Sequence, residues 1–589
     1  MAIITAAVWL VRGYVWPVLS NVEVDALRAM VDPTLFHRDF AVQENLHFSP
    51  RFYYYQLVLL PVRAGVPLEW SFALGHVVAV GAMLGGLRAL TRAAGLGEVS
   101  SAVFTIWLLV VGVGTLGGVY FYTQAPVPAV WAGALLPWGA WLAWRGRWTG
   151  AFTCFGAAVL LQFLVGFYAG VVALAALLWM RRGRGLAALI PWLLALALVY
   201  GPMALTGGTG SDALNNSAFV YVYAQLRVPH HVVPSTWGWA SWVQFAAFYI
   251  GLACLLLRTR AGRSSAELTV FFGAGALMLL ALAANFIFVE IVPVGLVAKL
   301  QPARITPLVQ GVGLLLLATR VDARLRQRDW PGGVALALVP FTVLPGLLLA
   351  LAAVLLPRKP DAPIRIWPGW VLMLAVALAF LPFDPSFGPR LLRYTSWALL
   401  VGVQLAAFAL LRWPRLAQGA ALLSAVGAAS CAVLSVTPRW PARLAAHFSI
   451  DVPPQTPPAV VGWRFGQHSH PDALVLVPPT SEAWAFKLYA RRAAVVDDKS
   501  APFTDRGLRE WQIRMESVAG QRLTPGTDVA AAWRARTPES IAASAARYGA
   551  HYVLTSDDSH PVLPGTAIER EAGWTLWQMP VADGSSAKP

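Results

Sequence analysis

The sequence predicts a mainly α-helical polytopic membrane protein, with about 11–15 membrane segments, carrying a small C-terminal α/β soluble domain. Three observations predict it. Of 589 residues, 57% are hydrophobic and 13% charged, against about 45–50% and about 25% in an average soluble domain. The long apolar runs fall almost entirely within residues 1–440, while 441–589 reads as ordinary soluble sequence. The basic residues gather in short clusters between the apolar runs. An ordinary soluble globular enzyme is thereby excluded.

A membrane-crossing helix needs about 20 apolar residues. Runs of that kind occupy roughly 1–20, 68–88, 100–119, 126–143, 186–205, 238–257, 268–289, 302–319, 366–383, 395–412 and 416–437. The first run lacks a small-residue cleavage site after a charged start and reads as a retained helix. Two further stretches, 150–180 and 332–356, are apolar but bounded at both ends by basic residues. Gln162 and Gly166 interrupt the first, Pro340 and Pro345 the second, so each is expected to enter the membrane and come back. The net charge of +16 comes largely from clusters such as Arg181/Arg182/Arg184 and Arg320/Arg324/Arg326/Arg328, which fit cytoplasmic loops. With the N-terminus cytoplasmic, residues 21–60 form a long first exterior loop and the C-terminal domain emerges on the same side.

Residues 441–458 read as a proline-rich linker, extended over 451–458. In 459–589, strand-like segments at 473–477, 493–496 and 552–554 alternate with helix-like segments at 481–491 and 538–547, the pattern of a small sheet with helices packed on it. No glycine-rich phosphate loop is present, nothing suggests nucleic acid, and the three cysteines (Cys154, Cys254, Cys431) all lie in apolar segments, which leaves neither a disulfide framework nor a zinc site.

Five of the 14 acidic residues of 1–440 (Glu23, Asp25, Asp32, Asp39 and Glu44) crowd into the first exterior loop, beside His37, Arg38, His47, Arg51 and the aromatic run 52–55. An interfacial amphipathic helix with a solvated acidic face is the simplest reading of that loop; chemistry at the membrane surface is the other. A second exterior loop, roughly 206–236, carries Tyr223, Arg227, His230 and His231. The two histidines, with Asp39 of the first loop, are candidate ligands for a divalent metal ion, although plain hydrogen bonding serves equally well. A third group, Glu290, Lys299, Gln301 and Arg304, sits at the outer end of the 268–319 helix pair. Arg304 runs against the positive-inside trend and suits an anionic lipid phosphate through bidentate hydrogen bonds, or an interfacial position.

The segment DPTLFHRDF (32–40) resembles a D-P-x-L-F-x-x-D stretch found in a group of bacterial membrane proteins similar to the GT-C superfamily. These are polytopic glycosyltransferases that take a sugar from a polyprenyl-phosphate donor outside the membrane. PHHVVPS (229–235) and AVVDDKSAPFTDRGLREWQIR (494–514) extend the resemblance; Gln162 and Phe163 stand where a His-Pro pair is expected before Gly166. The resemblance implies a bacterial inner (cytoplasmic) membrane protein with a periplasmic C-terminal domain, a polyprenyl-phosphate lipid donor, contact with membrane lipids, and a glycan, lipid or protein acceptor. It also implies a carboxylate to deprotonate the acceptor, with Asp39 first and Asp32 and Asp25 next. Cations are expected at the phosphate, drawn from Arg38, Arg227, His230, His231 and Arg304. The tail segment with Lys499 and Arg514 reads either as a salt-bridged surface around one core tryptophan or as a lid that closes over the cavity and offers one of these cations to the substrate. A transporter or flippase would instead want ionisable groups near mid-membrane, and an envelope assembly protein would use 497–503 as a docking loop.

Overall fold

The computed structural model describes residues 14–15, 21–111, 114–123, 125–181, 185–206, 214–259, 265–342, 344–356, 367–380, 448–451, 454–502 and 504–580. The spans expected at 1–20 (Tyr14 and Val15 apart), 395–412 and 416–437 lie outside the described residues, as do Arg182 and Arg184. The architecture is mainly helical. Six helical segments among the described residues are long and apolar enough to cross a membrane: Leu68–Ala93, Phe163–Met180, Leu186–Leu205, Trp239–Arg258, Leu268–Ile291 and Gly295–Arg326.

The expected span 100–119 departs from its sequence reading. The helix Glu98–Val110 stops short, and the chain runs on irregularly past Gly114, Gly117 and Gly118, whose φ values of +81°, +72° and +61° only glycine adopts without strain. Non-helical backbone is tolerated at membrane depth where protein groups satisfy it, and here they do. Gln310 Nε2 donates to the Val111 carbonyl (3.0 Å), Tyr249 Oη to Gly114 (2.9 Å), and Leu116 N–H to Thr306 Oγ1 (3.3 Å). The expected span 126–143 is likewise two short helices, Pro128–Gly133 and Leu136–Trp144.

Both interrupted stretches turn back. The helix Trp148–Leu161 ends at Gln162, whose extended backbone (φ −149°, ψ 107°) breaks it, and Phe163–Arg181 follows. The two helices press together so closely that a Cβ at Gly166 would lie 2.6 Å from the Phe155 carbonyl. The second stretch splits into Trp330–Leu338 and Pro345–Leu355. Gly369, opening the helix Trp367–Phe380, lies against Asp329 and Gly332, so the chain has returned to the end from which it set out.

In the C-terminal unit the proline-rich segment is not extended throughout: a helix begins at Pro457 and runs to His468, because proline's fixed φ suits the first helical turn. The sheet contains β3 (Leu474–Leu476), β4 (Ala493–Ala494), β5 (Tyr552–Ser556), β6 (Thr566–Glu571) and β7 (Trp574–Gln578), in the order β4-β3-β5-β7-β6. β3, β4 and β5 are parallel, and β7 is antiparallel to both β5 and β6. The remaining strands, β1 (Tyr14–Val15) and β2 (Phe448–Ser449), pair in parallel and tie the start of the chain to the entrance of this unit.

Candidate functional site

The first long loop folds onto the C-terminal unit. Helix Asn21–Val31 buries Val24, Ala26 and Leu27, and Arg28 donates to the Leu488 carbonyl at 2.6 Å. The turn after it is built by Asp32, which accepts from the Thr34 amide and hydroxyl (3.0 and 2.6 Å); these bonds hold its carboxyl below the usual carboxylate range. Phe36 is fully buried. Asp39 caps helix Phe40–Leu46 by accepting from Val42 N–H with one oxygen. Its other oxygen accepts from the Ala494 amide at 3.0 Å and pairs with Lys487 Nζ at 2.9 Å.

Lys487 is the centre of a buried ion cluster. Besides Asp39 it meets Asp497 at 3.1 Å and Asp25 at 3.5 Å. Burial opposes its charge, but the three carboxylates outweigh that and hold its pKa above the ordinary lysine value. Burial pushes Asp25 up to about 6 against the pull of Lys487 and Arg28. Asp497 also accepts from the amides of Lys499 and Ser500, and burial notwithstanding, its charge partners keep its pKa low.

The sequence-derived acid candidates are therefore not brought to one open site. Asp39 is 1% exposed and has both oxygens engaged, Asp25 is enclosed in the same cluster, and Asp32 stands in solvent. Arg38 donates to the Gly549 carbonyl at 3.0 Å. Arg514 lies 4.2 Å over the Phe40 ring, pairs with Glu510, and donates to the Val495 carbonyl. The two quoted segments 32–40 and 494–514 thus meet each other, as a clasp between loop and C-terminal unit.

The remaining candidates do converge. Arg51 lies within electrostatic reach of both Arg227 and Arg304, and both of these act on His231. Arg51 pairs with Glu23 at 3.0 Å, and Glu23 in turn acts on Arg227 and on Lys499. Arg304 Nε donates to Gln301 Oε1 at 2.5 Å, while Gln301 Nε2 donates to Tyr223 Oη at 2.6 Å. Arg227 also packs over the Tyr223 ring at 5.6 Å. Burial lowers the pKa of Arg227 without approaching neutrality for a guanidinium. Where Arg51 is concerned, burial is outweighed by Glu23 and the shift is upward.

The histidine pair closes one wall. His231 Nδ1 lies 2.6 Å from the Gly117 carbonyl, which makes Nδ1 the protonated nitrogen and leaves Nε2 as an acceptor. Burial pushes His231 down to about 4 despite that bond, with the positive charge of His230, Arg304 and Arg227 adding to the effect. Burial, then Lys499, also lowers His230. Lys499 comes from the C-terminal unit, 3.9 Å over the Trp484 ring, and reaches both Glu23 and His230 electrostatically. Among the described residues, no three His, Cys, Asp or Glu side chains gather as a metal site, and Asp39 is held by Lys487 while His231 is held by Gly117.

The lining of an apolar cleft of about 380 Å³ begins one turn of chain beyond Arg304. Pro307 and Leu308 line it one turn beyond Arg304, Phe121 three residues beyond Gly118, and Ala169 and Val172 just beyond Tyr168. Tyr168 donates to the Leu300 carbonyl at 2.9 Å and acts on Arg304. A cluster of cations with one directly paired carboxylate therefore stands near one end of an apolar cleft.

Composition alone singles out neither Glu23 nor Arg51 from the crowded first loop. What marks them is pairing across 28 residues of sequence, a contact set by the fold. The glycine run VGVGTLGG (111–118) is the sequence signal for the irregular wall behind His231.

A family model described as "Domain of unknown function (DUF6798)" matches residues 458–518. No curated protein matches the chain. Among solved structures the chain is similar to ArnT from Cupriavidus metallidurans in the apo state, with 14% identity, 97% of this chain and 96% of that chain covered, and a TM-score of 0.39. It is also similar to ArnT from the same organism bound to undecaprenyl phosphate, with 15% identity, 98% and 96% covered, and a TM-score of 0.35.

Proposed function

We propose that this chain is a membrane glycosyltransferase that takes a sugar from a polyprenyl-phosphate donor and passes it to a hydroxyl of a glycan, lipid or protein acceptor. The observation that carries the reading is an arginine cluster at Arg304 with the lining of an apolar cleft beginning one turn beyond it: an anionic headgroup and a long apolar chain are the two halves of one lipid phosphate. Arg51, Arg227 and Arg304 hold the phosphate, and residues such as Phe121 and Leu308 line the entry for the prenyl chain. Their charge is positioned for the negative charge that grows on the phosphate as the bond to the sugar breaks.

In this mechanism Glu23 accepts the proton of the acceptor hydroxyl, the hydroxyl oxygen bonds to the anomeric carbon, and the electron pair of the breaking C–O bond leaves on the polyprenyl phosphate. Asp39, Asp25 and Asp497 hold Lys487 and so dock the C-terminal unit that supplies Lys499. The same reading puts the chain in a bacterial inner membrane, the transmembrane part at 1–440 and the C-terminal unit on the exterior side with the first long loop.

Transfer is tested with purified full chain, a radiolabelled polyprenyl-phosphate sugar and membrane extract as acceptor. Label must move to acceptor in the wild type and not in Glu23→Gln. Export of intact lipid-linked sugar across a vesicle membrane without cleavage would favour a flippase instead.

A further inference from the structure

A second cavity, also about 380 Å³ and lined by His230 and the glycine segment, falls within the range of small-molecule sites, ~300–1,000 Å³. One wall is the irregular segment Gly114–Gly118; facing it are Trp237 and, on the first turns of helix Trp239–Arg258, Ser241 and Gln244. The geometry points to a saccharide subsite: a neutral, polyhydroxylated ring bound against Trp237 and between the glycine segment and Gln244.

The chemistry of the lining selects that class. None of the lining residues is Asp, Glu, Lys or Arg, and the one histidine, His230, has its pKa lowered by burial and then by Lys499. A phosphate or carboxylate has no counter-charge in this lining, whereas the cluster of Arg51, Arg227 and Arg304 supplies several. Neutral donors and acceptors are present in the Ser241 hydroxyl and the Gln244 amide. Aromatic rings offer the flat apolar surface that the C–H face of a sugar covers: Trp237 stacks on Trp242 at 5.5 Å, and Phe245 completes that wall. Trp237 is 8% exposed, and its indole N–H has no hydrogen-bond partner among the described residues, an unusual state for a buried donor. The glycines are needed: a Cβ on Gly117 would come within 3.2 Å of Ala303 Cβ and of the His231 carbonyl, at a φ of +72°.

A ring in this cavity sits one histidine away from the phosphate cluster, so it is either the donor's sugar or the acceptor's. Only this question of source rests on the function proposed above; binding of a neutral saccharide does not.

The test is saturation-transfer NMR on the purified full chain, in a detergent without a sugar headgroup, using free glucose, N-acetylglucosamine and arabinose as probes. At least one probe should receive transfer on its ring protons. Ser241→Phe, an exposed position at the cavity, should abolish the signal, and Gln244→Leu should weaken binding roughly tenfold through one lost hydrogen bond. Arg227→Ala should leave it intact. Absence of transfer to every probe, or a signal unchanged by Ser241→Phe, overturns the proposal. Binding of a bare prenyl phosphate and of its sugar-bearing form then assigns the source. If Ser241→Phe weakens only the sugar-bearing lipid, the ring is the donor's; if it weakens neither lipid while free saccharide is lost, the ring is the acceptor's. A chain that binds saccharide but no prenyl phosphate would contradict the phosphate reading and leave this one standing.

Discussion

Lys487 and Asp39, 448 residues apart in sequence, meet at 2.9 Å across the boundary between the C-terminal unit and the first long loop. The contact is sealed from solvent. A buried lysine with three carboxylates around it works as a latch, because removing one partner strands the others without compensation. Lys487→Met should therefore destabilise the protein by about 3–5 kcal/mol, read as a lowered melting temperature in detergent. An unchanged melting temperature would show that the cluster does not hold the two parts together.

Asp25 gives this latch a pH signature. Its pKa is raised from 3.8 to about 6, so the folded state prefers the protonated form. The associated stability is fully present below about pH 4 and is lost as pH rises through about 6. A shift of about two pH units corresponds to about 3 kcal/mol. Melting temperature against pH should fall over that window in the wild type relative to Asp25→Asn, which cannot ionise. Parallel curves for the two proteins would contradict the assignment.

Glu23 pairs with Arg51 within the arginine cluster, and general-base catalysis is typically worth 10²–10⁴-fold. Glu23→Gln should lower transfer by about that factor with folding retained. Asp39→Asn should act mainly on stability, since Asp39 faces Lys487 and Ala494. A larger kinetic loss in Asp39→Asn than in Glu23→Gln, at equal stability, would return the base to Asp39.

Lys499 and Arg514, neighbours in one segment of sequence, should separate in their effects. Lys499 reaches Glu23 and His230, so Lys499→Ala should reduce transfer while leaving the melting temperature nearly unchanged. Arg514 packs on Phe40 and Tyr548 at 4.2 and 5.1 Å, and Arg514→Ala should cost about 1–2 kcal/mol of stability through the lost ring and carbonyl contacts. Equal kinetic losses in the two variants would undo this division.

Much of the fold is legible in the sequence because membrane helices announce themselves by length and hydropathy. The long spans 68–88, 186–205, 238–257 and 268–289 all correspond to helices. Local breaks are readable too: Gln162 and the Pro340–Pro345 pair mark turns, since polar and proline residues interrupt apolar helices. The irregular segment Gly114–Gly118 is harder, because its glycines are apolar and a hydropathy window passes over them. β6 and β7 escape notice for a different reason: polar residues such as Glu569 and Arg570 break the apolar signal.

The site was legible in part. Arg227, His230, His231 and Arg304 stand out because charge and imidazole are rare in such a chain, and they do converge. The acidic partner does not stand out. Asp39 and Glu23 are both carboxylates of one crowded loop, and only the fold decides that one meets a buried lysine and the other an arginine.

The central claim is that the arginine cluster and the apolar cleft hold a lipid phosphate. Binding of undecaprenyl phosphate to the purified chain, followed by native mass spectrometry with undecaprenol as the uncharged control, tests it most directly. Truncating an arginine that faces a buried phosphate costs about 2–5 kcal/mol. The wild type should therefore hold one lipid phosphate and no undecaprenol, and Arg227→Ala and Arg304→Ala should each weaken binding by a factor of about 30 or more. Equal binding of phosphate and alcohol, or undiminished binding in both variants, would contradict the account.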